Sequence, residues 1–195
     1  MSQVIAGIDY GSKLAGTTVV AFLSSADNTI TLYQSAKKQD ADQFIKEKVA
    51  TYKPSLIMLD APLSLPGVYR SLPNYNDYFY RQGDRLLNAM SPMFLGGLTA
   101  RAMKLIQELH PIGVKETYPA QQATRLQLRP LGYKKEKRAI EDVLKAMLVH
   151  FPYKVTDAIN NWHKVDALLA LLAAYRYQQQ QCDFYGDELE GGIYV

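Results

Sequence analysis

Apolar positions come in short β-branched bursts through the first part of the chain and then take up a helical spacing. Residues 4–9 (VIAGID), 17–23 (TTVVAFL) and 29–34 (TITLYQ) are separated by turn-forming stretches such as SSADN, which predicts three successive strands joined as a meander. From 40 to 52 (DADQFIKEKVATY) the period changes: Phe44, Ile45 and Val49 fall on one side among charges, the pattern of an amphipathic helix. PSLIMLD follows and ends at Asp60; it is almost wholly apolar, as a central parallel strand covered on both faces would be.

Periodicity then loosens. Residues 61–96, with several prolines and tyrosines, predict a long inserted connection of the kind used for lids or binding loops. Tyr69, Tyr75, Tyr78, Phe79 and Tyr80 would bury this insertion or, alternatively, stack on bases. A helical period resumes in TARAMKLIQELH (99–110), and a short strand is expected over about 112–117 with Glu116 near its end. Further helices are expected over about 135–149 and through NWHKVDALLALLAAYRYQQQQ, where Asn160 or Asn161 could cap the start. This order describes an α/β chain: a mixed sheet with antiparallel edge strands and a parallel centre, covered by helices.

A length of 195 residues at 48% hydrophobic content suits a single domain spanning 1–195 with the insertion at about 61–96. Cys182 is the sole cysteine, so no internal disulfide forms, which fits a reducing cytoplasm. No run of about 18 apolar residues occurs, and the N-terminus lacks a charged segment followed by an apolar one, so a cytoplasmic protein without a membrane partner is expected. The net charge of +3 does not by itself identify a nucleic-acid binder. Its distribution is more informative: RLQLRPLGYKKEKR (125–138) carries six basic residues and one acid, a solvated loop and helix start or a phosphate-contacting segment. Neither G-x-G-x-x-G nor G-x-x-x-x-G-K-[ST] is present, and an opening meander is wrong for a doubly wound nucleotide-binding unit.

Candidate chemistry gathers on acids. Asp9, Asp60 and Glu116 each close a predicted strand, and Asp166 lies on the otherwise apolar surface of the last helix, where an unpaired charge is costly. Each could be an ordinary turn or cap acid. Together they could hold hard divalent cations, which relieve carboxylate repulsion and, as a pair about 4 Å apart, support phosphodiester hydrolysis. Lys13 could neutralise phosphate, and Arg81 with Arg85 could clamp it unless Asp84 pairs with one of them. Lys115, Lys134, Lys135 and Arg138 complete the candidate phosphate or nucleic-acid contacts, although the lysines at 134, 135 and 137 read more as solvated charge. His163, three positions before Asp166, could carry a proton; no histidine has zinc-ligand spacing.

The motifs GIDYGSK (7–13), LDAPLSLP (59–66), KETYPA (115–120), LGYKKEKR (131–138) and HKVDALLALLAAY (163–175) span almost the whole chain. In this combination and order the chain resembles the DUF429 group of predicted nucleases in the ribonuclease H-like superfamily. The resemblance implies a ribonuclease H-like mixed five-stranded sheet with helices on both faces. It matches Asp9 to the first-strand aspartate, Asp60 to the acid after the fourth strand, Asp166 to the last-helix aspartate and Glu116 to the glutamate of an E-x-Y/H-P motif. Metal-dependent hydrolysis of DNA or RNA with Mg²⁺ or Mn²⁺ is the expected function, with a homodimer as a candidate assembly. A noncatalytic phosphate- or nucleotide-binding protein of the same fold is the alternative. Actin-like kinases share the core and its D-x-G opening but use two such domains, for which 195 residues leave no room unless two chains cooperate.

Overall fold

The computed structural model describes residues 3–195. Strands β1 (Val4–Asp9), β2 (Val19–Ser24) and β3 (Thr29–Gln34) form the expected antiparallel meander. Helix α1 (Ala41–Tyr52) follows, its start fixed by Asp40, whose side chain accepts the N–H groups of Asp42 and Gln43. Strand β4 (Leu56–Asp60) then pairs parallel to β1. The insertion is ordered into a 3₁₀ turn (Gly67–Arg70) and the short helices α2 (Gln82–Leu87) and α3 (Pro92–Leu95), leading to α4 (Gly97–Glu108). Strand β5 (Gly113–Glu116) adds parallel to β4.

The remaining chain supplies α5 (Pro119–Arg125), α6 (Ile140–Leu148), a two-residue strand β6 (Lys154–Val155), the long helix α7 (Trp162–Gln178) and a hairpin of β7 (Phe184–Asp187) and β8 (Gly191–Tyr194). The sheet order is β5-β4-β1-β2-β3-β6, with β7-β8 as a separate pair. An antiparallel meander extended on the β1 side by two parallel strands, with helices on both faces, is a ribonuclease H-like fold. The five expected strands are joined by β6, which lengthens the far edge by one short parallel pairing to β3.

Strand alternation divides the interior in two. Ala6, Ile8, Val20, Phe22, Ile57 and Leu59 meet Phe44, Ile45 and Val49 of α1 and Ala102 and Leu105 of α4. On the other face Ile5, Val19, Ala21, Leu23, Leu56 and Met58 pack against α5, α6 and α7. Every residue of α7 from Val165 to Ala174 is buried, which explains why this helix is apolar on nearly all sides. No helix among the described residues is long and apolar enough to cross a membrane.

Candidate metal centre

Asp9 and Asp60 are brought together by register. They are direct Cα partners at the ends of the parallel strands β1 and β4. Counting back in twos from each gives Gly7 and Ile5, Met58 and Leu56, so both carboxylates stand on the face covered by α7. Gly7 lets that helix come close: a Cβ there would lie 2.0 Å from the Leu171 backbone nitrogen and 2.6 Å from the Ala167 carbonyl oxygen. Asp166 enters from the first turns of α7, whose start is capped by Asn161 accepting the Lys164 N–H at 3.0 Å. One ligand oxygen from each of Asp9, Asp60 and Asp166 lies within 4.8 Å of the others.

The cluster is heavily desolvated. Asp166 is 2% exposed, and burial pushes its carboxyl up to about 6 against the opposing pull of the Lys134 ammonium, with Asp9 adding to the rise. Burial raises the Asp60 pKa well above its ordinary value, and Asp9 and Asp166 raise it further. The residues holding Asp166 come from the loop between α5 and α6: Tyr133 donates its hydroxyl to Asp166 Oδ1 at 2.6 Å, and the Lys134 ammonium pairs with Oδ2. Lys134 occupies the left-handed region at φ 57°, which directs the chain back toward the cluster. Burial opposes its charge, but Asp166 keeps its pKa above the ordinary value. His163 Nδ1 meets Asp9 Oδ2 at 2.8 Å; this bond raises the imidazole pKa against partial burial.

Glu116 does not join the three aspartates. It pairs in register with Leu59, one position before Asp60, so the pleat turns it to the opposite face of the sheet. There both its oxygens are engaged: Arg81 Nη2 reaches Oε1 at 2.6 Å, and Arg81 Nη1 and the Leu63 N–H reach Oε2 at 2.7 and 2.9 Å. Burial raises the Glu116 pKa despite Arg81. Arg81 itself is 1% exposed and also grips Asp84, through Nε to Oδ2 at 3.1 Å and Nη2 to Oδ1 at 2.7 Å. This buried triad pins the insertion to β5 and is where Arg81 is committed, in place of a phosphate clamp with Arg85.

Other basic candidates are also placed. Arg85 pairs with Asp77 and lies over the Tyr80 ring, Lys13 pairs with Asp40 at 3.2 Å, and Arg138 pairs with Glu136. Lys115 sits over the rings of Tyr177 and Tyr194, while Lys135 is exposed. Lys134 alone among the candidate cations contacts the aspartates. Tyr133 was not singled out by its sequence, although it lies inside the LGYKKEKR motif next to Lys134. A second network, equally unsignalled, stabilises the turn after β1: Tyr10 donates to Asp42 at 2.5 Å, and Arg101 donates to Asp42 at 2.7 Å and to the Gly11 carbonyl at 3.3 Å.

No family model matches the chain, and no curated protein matches it. Two solved structures of RuvC from Thermus thermophilus are similar to it along nearly its full length. RuvC in complex with Holliday junction substrate is 16% identical, with 99% of this chain and 99% of that chain covered and a TM-score of 0.46. A second RuvC structure is 14% identical, with 99% and 100% covered and a TM-score of 0.47.

Proposed function

We propose that the protein is a divalent-metal-dependent nuclease that hydrolyses phosphodiester bonds in DNA or RNA, with Asp9, Asp60 and Asp166 holding Mg²⁺ or Mn²⁺. The observation that carries this reading is the convergence of three carboxylates, from two strand ends and a helix more than a hundred residues away, to within 4.8 Å. The donor set is entirely carboxylate oxygen, which suits a hard divalent cation, and three carboxyl groups face the single ammonium of Lys134 and the imidazole of His163. The order of motifs resembling the DUF429 predicted nucleases supports the same reading.

When bound, such an ion activates water and offsets charge on phosphate oxygens. The chain's own groups have separate tasks. Tyr133 fixes the orientation of the Asp166 carboxylate through Oδ1. Lys134 holds positive charge at Oδ2, where it also attracts a phosphate oxygen. His163 has Nδ1 committed to Asp9, leaving Nε2 as the nitrogen through which a proton passes to the departing oxygen. Calorimetry with Mn²⁺ tests the ligand set: the parent shows saturable binding, and Asp9→Asn and Asp60→Asn each weaken it at least about tenfold, as expected when a charged ligand is lost. Unchanged affinity in both variants refutes the assignment.

A further inference from the structure

Beside the carboxylates is a cavity of about 380 Å³. Asp60 and Lys134 belong to its lining as well as to the metal centre, so the cavity adjoins that centre. Its apolar wall is assembled from parts that the cluster does not use: Met90 and Leu95 from the insertion, Leu98 from α4 and Ile193 from β8. Tyr118, just after β5, adds an aromatic ring. Asp84 and Glu116 also reach this lining, both bonded to Arg81, whose one positive charge offsets part of theirs.

We propose that this cavity is a nucleobase subsite, receiving the base of an unpaired nucleotide whose phosphate lies at Asp9, Asp60 and Asp166. The proposal rests on the hydrolytic reading of that centre and names its substrate class: single-stranded nucleic acid, or a strand with an unpaired nucleotide at the cut. The volume lies within the range of small-molecule sites, and a mainly apolar wall with a few polar groups at its edge is their usual composition. In a nucleotide whose phosphate sits at the carboxylates, the flat apolar part next to the phosphate-bearing sugar, and so the part to fill an adjoining apolar cavity, is the base. Bases within a duplex are stacked and paired, so only an unpaired or extruded one enters. Since the wall is aliphatic and aromatic, selection acts on the flat apolar surface common to all bases, and sequence preference is weak.

The test is equilibrium binding of short single-stranded DNA in Ca²⁺, followed by fluorescence anisotropy, using a series in which each position in turn is made abasic. In the parent, loss of the base at one position weakens binding about tenfold, the scale of one lost base contact. Ala89→Phe, after α2, and Leu95→Trp, at the end of α3, each fill the cavity from a different element; each abolishes that position's preference without altering Mn²⁺ affinity or the melting transition. Equal affinity for every abasic strand in the parent overturns the proposal, as does a preference that survives in a folded filled variant. The two readings fail separately. A base preference lost on filling, in a protein that cuts no strand with Mg²⁺ or Mn²⁺, leaves the subsite and removes the nuclease; cutting without any base preference does the reverse.

Discussion

Asp60 and Asp166 hold protons more tightly in the folded, metal-free protein than in the unfolded chain, because burial and neighbouring carboxylates oppose their charge. Their contribution to stability is therefore complete below the ordinary carboxylate range and is lost as pH rises through the folded values, about 6 for Asp166. A divalent ion binds the deprotonated form, so its stabilising effect runs the other way. The increment in Tm given by saturating Mg²⁺ over chelator should be larger at about pH 7.5 than at about pH 5, and Asp60→Asn should raise the metal-free Tm at the higher pH. Equal increments at both pH values, with no gain from Asp60→Asn, contradict this electrostatic account. Glu116 predicts the opposite pattern. Glu116→Gln weakens a buried, doubly bonded ion pair with Arg81, so it should cost about 3 kcal/mol in denaturant unfolding while leaving Mn²⁺ affinity unchanged. Affinity falling with Glu116→Gln as it does with Asp60→Asn would return Glu116 to the ligand set. An acid at a strand end was legible for both residues. What separates them is parity: Asp60 aligns with Asp9, Glu116 with Leu59, and a one-residue difference in register is not written in the residues themselves.

Helix α7 and strand β1 form the contact on which the site depends. Gly7 occupies the position where α7 crosses, and its missing Cβ sets how deeply Asp166 descends toward Asp9 and Asp60. Gly7→Ala places a methyl against the Leu171 backbone, which cannot rotate aside, and should destabilise the protein by about 3 kcal/mol with a loss of Mn²⁺ affinity in the fraction that folds. Unfolding free energy equal to the parent's would show that the helix sits farther off than described. Both elements could be read from sequence, β1 from its β-branched run and α7 from an apolar pattern too continuous for a surface helix. The reading failed where the signal is short or local. Helix α5 is marked by little more than Pro119 at its first position, β6 is two residues long, and the β7-β8 hairpin has Gly186, Gly191 and Gly192 in place of a clear strand pattern. The expected helix at 135–149 begins late because Lys137–Ala139 form a 3₁₀ turn, which follows the left-handed Lys134 that reaches Asp166.

Across the whole molecule, the basic stretch divides into two uses. Lys134 is turned inward onto Asp166, whereas Lys135 is exposed and Arg138 is 85% exposed and pairs with Glu136. Lys135→Ala combined with Arg138→Ala should weaken nucleic-acid binding and reduce the slope of log affinity against log salt by up to about two, leaving turnover at saturating substrate intact. Identical affinity and slope would assign both residues to solvated surface. The insertion offered a length, an aromatic content and the local option of an Asp84 pairing in sequence; its role in walling the cavity beside the carboxylates depends on the Arg81 triad, in which Asp84 is three residues from Arg81 but Glu116 lies on a distant strand. The central claim is that Asp9, Asp60 and Asp166 hold the metal that cuts nucleic acid. Its most direct measurement is Mn²⁺-dependent cleavage of single-stranded, duplex and branched DNA and of RNA by the parent and by Asp166→Asn, compared at equal folded fraction. The account predicts cleavage by the parent that disappears with chelator and falls to background in Asp166→Asn, since the amide replaces a charged ligand with a single neutral oxygen. No cleavage of any substrate by the parent, or cleavage undiminished in Asp166→Asn, would contradict it.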